Sequence, residues 1–403
     1  MIEVLHYILQ IIICIFLVVF IFNSIYILIF AVAGLKNQKR VPIPEIYNKR
    51  KFAIFIPSYR EDFIILDTAI NSIKQTYPTD CYDVIVIADS LKDETITQLK
   101  NLPIIVVEVK FDKSTKAKSL NYAMQQIGND YDIALILDAD NIMEPDFLEK
   151  INYCFENGCS VVQGHRLAKN LNTSIAILDG ISEEINNHIF RKGHRTLGLS
   201  ATLIGSGMAF EYNLYKSYMA NVSSVGEDKE LEFHLLRDNI KIDYDHNALV
   251  FDEKVQDSKT FVNQRRRWLN AQLMSLKEFA PIGFKQFFLK GNLNLLNKVF
   301  EMIIFPRILL IGSVFIFCLL LSVFFFLKLT SLCFVFTSFI IFIVVAFSLV
   351  ISVPVKFYNK DTLKALMYIP KGFILMLTAL LNIKGASKHF IHTPHDVKFD
   401  NKK

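Results

Sequence analysis

Hydrophobic positions follow two different rules along this chain. Towards its ends they run together: no formally charged side chain falls in 7–35, 308–327 or 329–355, and Lys328 alone separates the last two. An apolar helix of about 20 residues, rising 1.5 Å per residue, spans the hydrocarbon of a bilayer. The pattern therefore predicts one N-terminal transmembrane helix and a later hairpin of two. The first run is too long for the apolar core of a cleaved signal, and 1–6 lack the basic residues that such a signal carries. A fourth run, 365–383, is interrupted by Pro370 and Lys371. Crossing, re-entry and an interfacial position all stay open for it.

In the middle of the chain the apolar residues come in short bursts. Runs at 52–56, 84–87, 104–107 and 133–137 have strand length, and helical patterns such as 63–75 and 116–127 lie between them. Short, continuously apolar strands alternating with amphipathic helices predict a mostly parallel sheet covered on both faces, the doubly wound α/β class. The expected division is a membrane helix at 1–35, an α/β domain at 36–280, an amphipathic interfacial segment at 281–306, two membrane helices at 307–356, and the weaker apolar segment with a basic tail at 357–403.

Composition agrees with a membrane class, since 52% of the 403 residues are hydrophobic. Orientation comes from charge. Lys36, Lys39, Arg40, Lys49, Arg50 and Lys51 follow the first apolar run, whereas Glu3 is the only fixed side-chain charge before it. Basic flanks stay on the cytoplasmic side, which puts the α/β domain there. Lys356, Lys360 and Lys364 after the hairpin agree, and Lys384, Lys388, Lys398, Lys402 and Lys403 argue against a crossing at 365–383. The net charge of +5 is concentrated in these flanks, a distribution suited to anionic lipid headgroups and not to nucleic acid. The six cysteines show no paired metal-ligand spacing, so reduced packing residues are expected and not a zinc site.

In an open α/β sheet, ligands bind beyond the carboxyl ends of the strands, so the polar residues just after each strand are the candidates. The first strand is followed by Pro57, Ser58, Tyr59, Arg60 and Glu61, and the second by Asp89. Either loop alone reads equally well as a helix cap. The fourth ends in Asp138-Ala139-Asp140, two carboxylates that repel each other unless a cation stands near them. Hard oxygen ligands of this kind suit Mg²⁺ or Mn²⁺. Lys116 and Lys118 open a helix, where lysines gain nothing from the helix dipole but an anion is favoured, and a phosphate site and a plain solvated helix start are equally open. Gly205-Ser206-Gly207-Met208 is a small-residue turn that reads equally well as a close approach of the backbone to a sugar and as a simple tight turn. Glu227 and Asp228 begin a further helix, and a positioned carboxylate there is a candidate general base. Gln264-Arg265-Arg266-Arg267-Trp268 sets guanidiniums able to bind phosphate beside the only tryptophan in the chain, and it reads also as a membrane-proximal basic patch with an interfacial aromatic.

In this order, the residues resemble the family 2 inverting glycosyltransferases, especially the membrane-integrated branch containing cellulose, hyaluronan, chitin and poly-N-acetylglucosamine synthases. The resemblance spans about 50–270 and the flanking apolar runs. It implies a GT-A-type (Rossmann-like) nucleotide-sugar domain inserted between transmembrane helices. A UDP-sugar donor, glucose or N-acetylglucosamine, would be bound by Pro57, Tyr59, Glu61, Asp89, Lys118, Asp138, Asp140, Gln264 and Arg267. The two aspartates Asp138 and Asp140 would hold Mg²⁺ or Mn²⁺, Asp228 would be the catalytic base, and Gly207, Glu227 and Trp268 would face the acceptor. The family's usual Thr-Glu-Asp is Gly226-Glu227-Asp228 here, which keeps the base. His392-Thr393-Pro394-His395 resembles a short basic motif near the end of some relatives. The expected acceptor is a growing polysaccharide, with single transfer to a lipid as the alternative. So few spans leave a narrow path for a glycan, so that secretion would call for a partner subunit or self-association.

Overall fold

A computed structural model describes residues 2–36, 47–224 and 226–383 of the chain, and the motif at 392–395 lies outside them. Its centre is an eight-stranded sheet made of β1 (Phe52–Tyr59), β2 (Tyr82–Asp89), β3 (Ile105–Val109), β4 (Ile133–Ile136), β5 (Ile142–Met143), β6 (Val161–Ala168), β7 (Met208–Glu211) and β8 (Asp243–Asp252). The spatial order is β3-β2-β1-β4-β7-β6-β8-β5. Alternate residues of each central strand enter separate cores: Ala53, Phe55, Ile85 and Ile87 on one face, Phe52, Ile54, Val84 and Val86 on the other. Covering on both faces explains why these strands read as unbroken apolar runs.

The parallel arrangement holds for β3-β2-β1-β4 and ends there. β7 runs antiparallel to both β4 and β6, β8 is parallel to β6, and β5 is antiparallel to β8. The cause is the turn before β7. Gly207 N–H donates to Ile136 O at 2.8 Å and Asp138 N–H to Ser206 Oγ at 2.9 Å, so the chain enters β7 at the carboxyl end of β4 and runs back along it. This return brings the 205–207 turn against the carboxylates that follow β4.

Helices long and apolar enough to cross a membrane stand at both ends: Glu3–Gly34, Arg307–Phe326 and Leu332–Ile351. Lys360–Leu366 and Ile369–Leu381 form a pair bent by 51°, which makes up to four spans if the pair is one. Ile13, Leu17 and Ile27 of the first helix share a core with Val314, Leu321, Val335 and Val345 of the hairpin and with Ile177, Ile181 and Ile185 of the helix Ser174–Asn186. Contact with the π-helical turn Asn187–Gly193 is closer still. A Cβ at Gly193 would lie 2.3 Å from Phe30 O, and one at Gly34 would lie 2.6 Å from His188.

The expected boundary at 280 falls inside a single helix, Ser258–Lys290. Asp257 caps its start, accepting from the backbone N–H groups of Lys259 and Thr260 at 2.9 Å, and Gly291 ends it in the left-handed region (φ 67°). Leu269 of this helix packs with Leu309 of the first hairpin span and with Met376 and Ala379 of the bent pair. One element thus carries the Gln264-to-Trp268 segment and touches the membrane helices.

Candidate active site

A cavity of about 1760 Å³ opens at the carboxyl ends of β1, β2 and β4 and extends to the apolar spans. Pro57, Tyr59, Glu61, Asp89, Asp138, Asp140, Glu227, Asp228, Gln264, Arg267 and Trp268 all line it. Strand geometry brings the first six there, the start of the helix Glu227–Arg237 brings the next two, and the Ser258–Lys290 helix brings the last three.

Beyond β1 and β2 the backbone is strained. Arg60 (φ 58°) and Ser90 (φ 57°) occupy the left-handed region, costly for residues with a Cβ, and Arg60 N–H donates to Asp89 O at 3.1 Å. Asp89 is 2% exposed. Its Oδ1 accepts from Ser90 Oγ at 3.0 Å, but among the described residues its buried Oδ2 has no hydrogen-bond partner, and neither does the buried Ser58 Oγ. A buried carboxylate oxygen without a donor is unfavourable. Ser58 and Asp89 both line the cavity, and together they suit a ligand edge that donates one hydrogen bond to the carboxylate and exchanges another with the hydroxyl.

The turn after β4 is held by a chain of hydrogen bonds. Ser206 Oγ donates to Asn141 Oδ1 at 2.7 Å, and Asn141 Nδ2 donates to Asp140 Oδ1 at 2.9 Å and to Asp252 Oδ1 at 3.0 Å. Lys116 stands beside the first of the two carboxylates, Asp138. Its Nζ lies 2.5 Å from Asp138 Oδ1, 2.7 Å from Gly205 O and 3.4 Å from Glu227 Oε1. Burial opposes its charge, yet Asp138, Glu227 and Asp228 together hold its pKa above that of an ordinary lysine. Lys118 does not join this group: its Nζ donates to Lys113 O at 3.1 Å, and it does not line the cavity. Two residues apart on a helix, the side chains point about 200° apart.

The glycine turn divides in the same way. A Cβ at Gly205 (φ 82°) would lie 3.6 Å from Asp228 Oδ2 and 3.7 Å from Lys116 Nζ, so Gly205 is the glycine beside the carboxylates. Gly207 (φ 61°) instead packs on Val250, whose Cγ2 a Cβ would meet at 2.8 Å, and it is Gly205 that lines the cavity. Glu227 is pushed up to about 7, by burial first and then by the like charge of Asp228, with Lys116 opposing. Arg267 is held below the usual guanidinium range by burial, while Glu227, Asp138 and Asp228 favour its charge. Gln264 Oε1 is buried without a hydrogen-bond partner among the described residues. Trp268 is 37% exposed, with the Arg265 guanidinium 4.3 Å from its ring centroid. Among the described residues no three His, Cys, Asp or Glu side chains converge as a complete metal cage.

The mixed α/β sheet, with helices apolar enough to span a membrane at both ends, is like that of the GT-A glycosyltransferases. The sequence model described as Glycosyltransferase like family 2 matches residues 49–271, over half of the chain, and the chain belongs to that family. A mannosyltransferase from Pyrobaculum calidifontis, solved with GDP-mannose and Mn²⁺, has a TM-score of 0.56 at 14% identity, over 92% of this chain and 99% of that one. Glucosyl-3-phosphoglycerate synthase from Mycobacterium tuberculosis, solved with Mn²⁺, UDP and glucosyl-3-phosphoglycerate, has a TM-score of 0.39 at 15% identity, over 56% and 80% of the two chains. Staphylococcus aureus TarS 1–349 with UDP-GlcNAc gives 0.37 at 15%, over 54% and 64%. The likeness in fold rests on the first of these. No curated protein sequence matches the chain.

Proposed function

We propose that this glycosyltransferase moves one sugar from a nucleotide-diphosphate sugar to a lipid-borne acceptor at the cytoplasmic face of a membrane. The observation that carries this reading is the continuity of the cavity, which passes from the strand ends by Asp228 to walls formed by Ile308, Ile311, Leu349, Val353, Leu375 and Met376. Aliphatic walls suit hydrocarbon; a glycan sliding past them would leave its hydroxyls without hydrogen-bond partners. About 1760 Å³ exceeds a usual single-ligand pocket of roughly 300–1,000 Å³, leaving room for donor and acceptor together. Polysaccharide extension, the acceptor expected from the resemblance, draws its support from Trp268, whose exposed face on the cavity wall can stack on a sugar.

On the donor side, Asp89 Oδ2 and Ser58 Oγ receive the nucleoside, and a UDP-sugar fits through the imide N–H or ribose hydroxyls of uridine. Asp138 and Asp140 would hold Mg²⁺ or Mn²⁺, with diphosphate oxygens and water completing a shell that the protein alone does not fill; the ion would offset charge on the diphosphate. Asp228 takes the proton of the acceptor hydroxyl, whose oxygen attacks the anomeric carbon from the face opposite the diphosphate and inverts it. Arg267 and Lys116 stabilise the negative charge that gathers on the leaving group.

The test uses the full chain in lipid nanodiscs with a panel of UDP- and GDP-sugars, Mn²⁺ or Mg²⁺, and membrane lipid extract. A single lipid-soluble product is expected. Asp228→Asn should lower turnover by about 10²–10⁴-fold while leaving donor binding intact. Retained turnover in that variant removes Asp228 as the base, and a ladder of products replaces the lipid reading with polysaccharide extension.

A further inference from the structure

Where the polar and apolar parts of the cavity meet, positive charge gathers without use in the donor chemistry. The helix Ser174–Asn186 presents Asp179, Ser182 and Asn186 on one face, at helical spacings of three and four. Arg265 forms an ion pair with Asp179. Arg307, at the first turn of the Arg307–Phe326 span, donates to Asn186 Oδ1, to Ser182 O at 2.9 Å and to Ser182 Oγ at 2.6 Å. All three acceptors are neutral. Glu183, whose charge also acts on Arg307, is taken by Arg166 at 2.9 Å, Arg191 at 3.2 Å and Lys254 at 3.6 Å. Arg265, Arg307 and Lys371 all line the cavity, and among the described residues these three cations form one ion pair, that of Arg265 with Asp179.

We propose that Arg307, with Arg265 and Lys371, binds the phosphate of a phosphate-linked glycolipid acceptor. This rests on the lipid-acceptor reading above and names its headgroup. Guanidiniums whose planar forks are already oriented by neighbouring side chains match phosphate oxygens. Ile308 and Ile311, on the same span as Arg307, continue into the apolar part that would take the hydrocarbon. The phosphate is the handle and not the nucleophile: an ionised phosphate oxygen attacks without a base, whereas Asp228 serves a hydroxyl. The hydroxyl oxygen forms the new bond to the anomeric carbon and gives its proton to Asp228. The old bond breaks with its electron pair going to the nucleotide diphosphate.

The test is binding of farnesyl diphosphate to the full chain in phosphatidylcholine nanodiscs, with farnesol and inorganic diphosphate as controls and UDP binding as a measure of an intact donor half. Binding at least tenfold tighter than either control is expected, without competition from UDP. Arg307→Gln should weaken it tenfold or more with UDP binding unchanged, and Arg307→Lys should restore part of the loss. Equal binding of farnesol makes the site one for neutral lipid and overturns the proposal. Equal binding of inorganic diphosphate makes it a free-phosphate site, competition with UDP moves the probe to the donor half, and an unaltered Arg307→Gln removes the arginine; each overturns it too. Farnesyl diphosphate binding as expected, with no sugar transfer from any donor, would leave this site standing and sink the catalytic reading instead.

Discussion

Glu232 and Lys298 sit in a buried corner between the α/β domain and the helix that leads to the hairpin. Lys298 Nζ lies 2.8 Å from Glu232 and 3.0 Å from Glu301, and Leu203 N–H donates to Glu232 at 3.3 Å. Burial raises Glu232 to about 7, with Lys298 opposing and Glu301 adding to the rise. With its folded pKa above the unfolded value, this carboxyl stabilises the fold fully below about 4.5, and that contribution is lost as pH rises through about 7. Glu232→Gln keeps the neutral shape. The difference in Tm, variant minus wild type, should therefore move upward between pH 5 and pH 8, and a flat difference would exclude Glu232 as the titrating group. At this scale the sequence identified residue types better than partners. Lys116 and Lys118 are equivalent as two cations at a helix start, and only the helix's rotation decides that Lys116 meets Asp138. Gly205 and Gly207 differ for the same reason, since the chain's return into β7 turns one towards Asp228 and the other into Val250.

Elements were most legible where they were long or apolar. β1, β2 and β4 and the helices Lys116–Gln126 and Glu227–Arg237 lie where periodicity put them, because each buries a face whose pattern is visible locally. The direction of β7 was hidden: four residues carry little pattern, and antiparallel pairing with β4 depends on where a distant turn docks. The unbroken run of Ser258–Lys290 through Pro281 was hidden as well. Neither does local pattern reveal the glycine contact between the first helix and the Asn187–Gly193 turn, which joins positions far apart in the chain. A methyl group at Gly193 would strike Phe30 O at 2.3 Å, so Gly193→Ala must move one helix from the other. We expect a loss of about 1–3 kcal/mol, the usual result of overpacking, measured as a lower Tm in detergent. An unchanged Tm would mean that this contact yields at no cost.

For the whole molecule, charge around the apolar runs predicts sidedness, while the cavity joining the domain to the spans has no local signature at all. Arg307 reads as a flanking charge and Arg265 as one of three arginines; their approach to the Ser174–Asn186 helix depends on the packing of three helices. Sidedness is open to direct measurement. In a chain stripped of its own cysteines, Lys328→Cys in the hairpin turn and Lys100→Cys in the α/β domain should react with a membrane-impermeant maleimide from opposite faces of sealed vesicles. Labelling of both from one face would mean that the first hairpin helix does not cross. The Ser258–Lys290 helix carries a further implication. Its 33 residues make a rod of roughly 50 Å, seated on the membrane helices at Leu269 and bearing Arg267 and Trp268 at the site. The seat at Leu269 is one residue from Trp268 and two from Arg267, a rise of about 3 Å along the rod, so a shift of the packed apolar helices is carried to those two side chains almost undiminished.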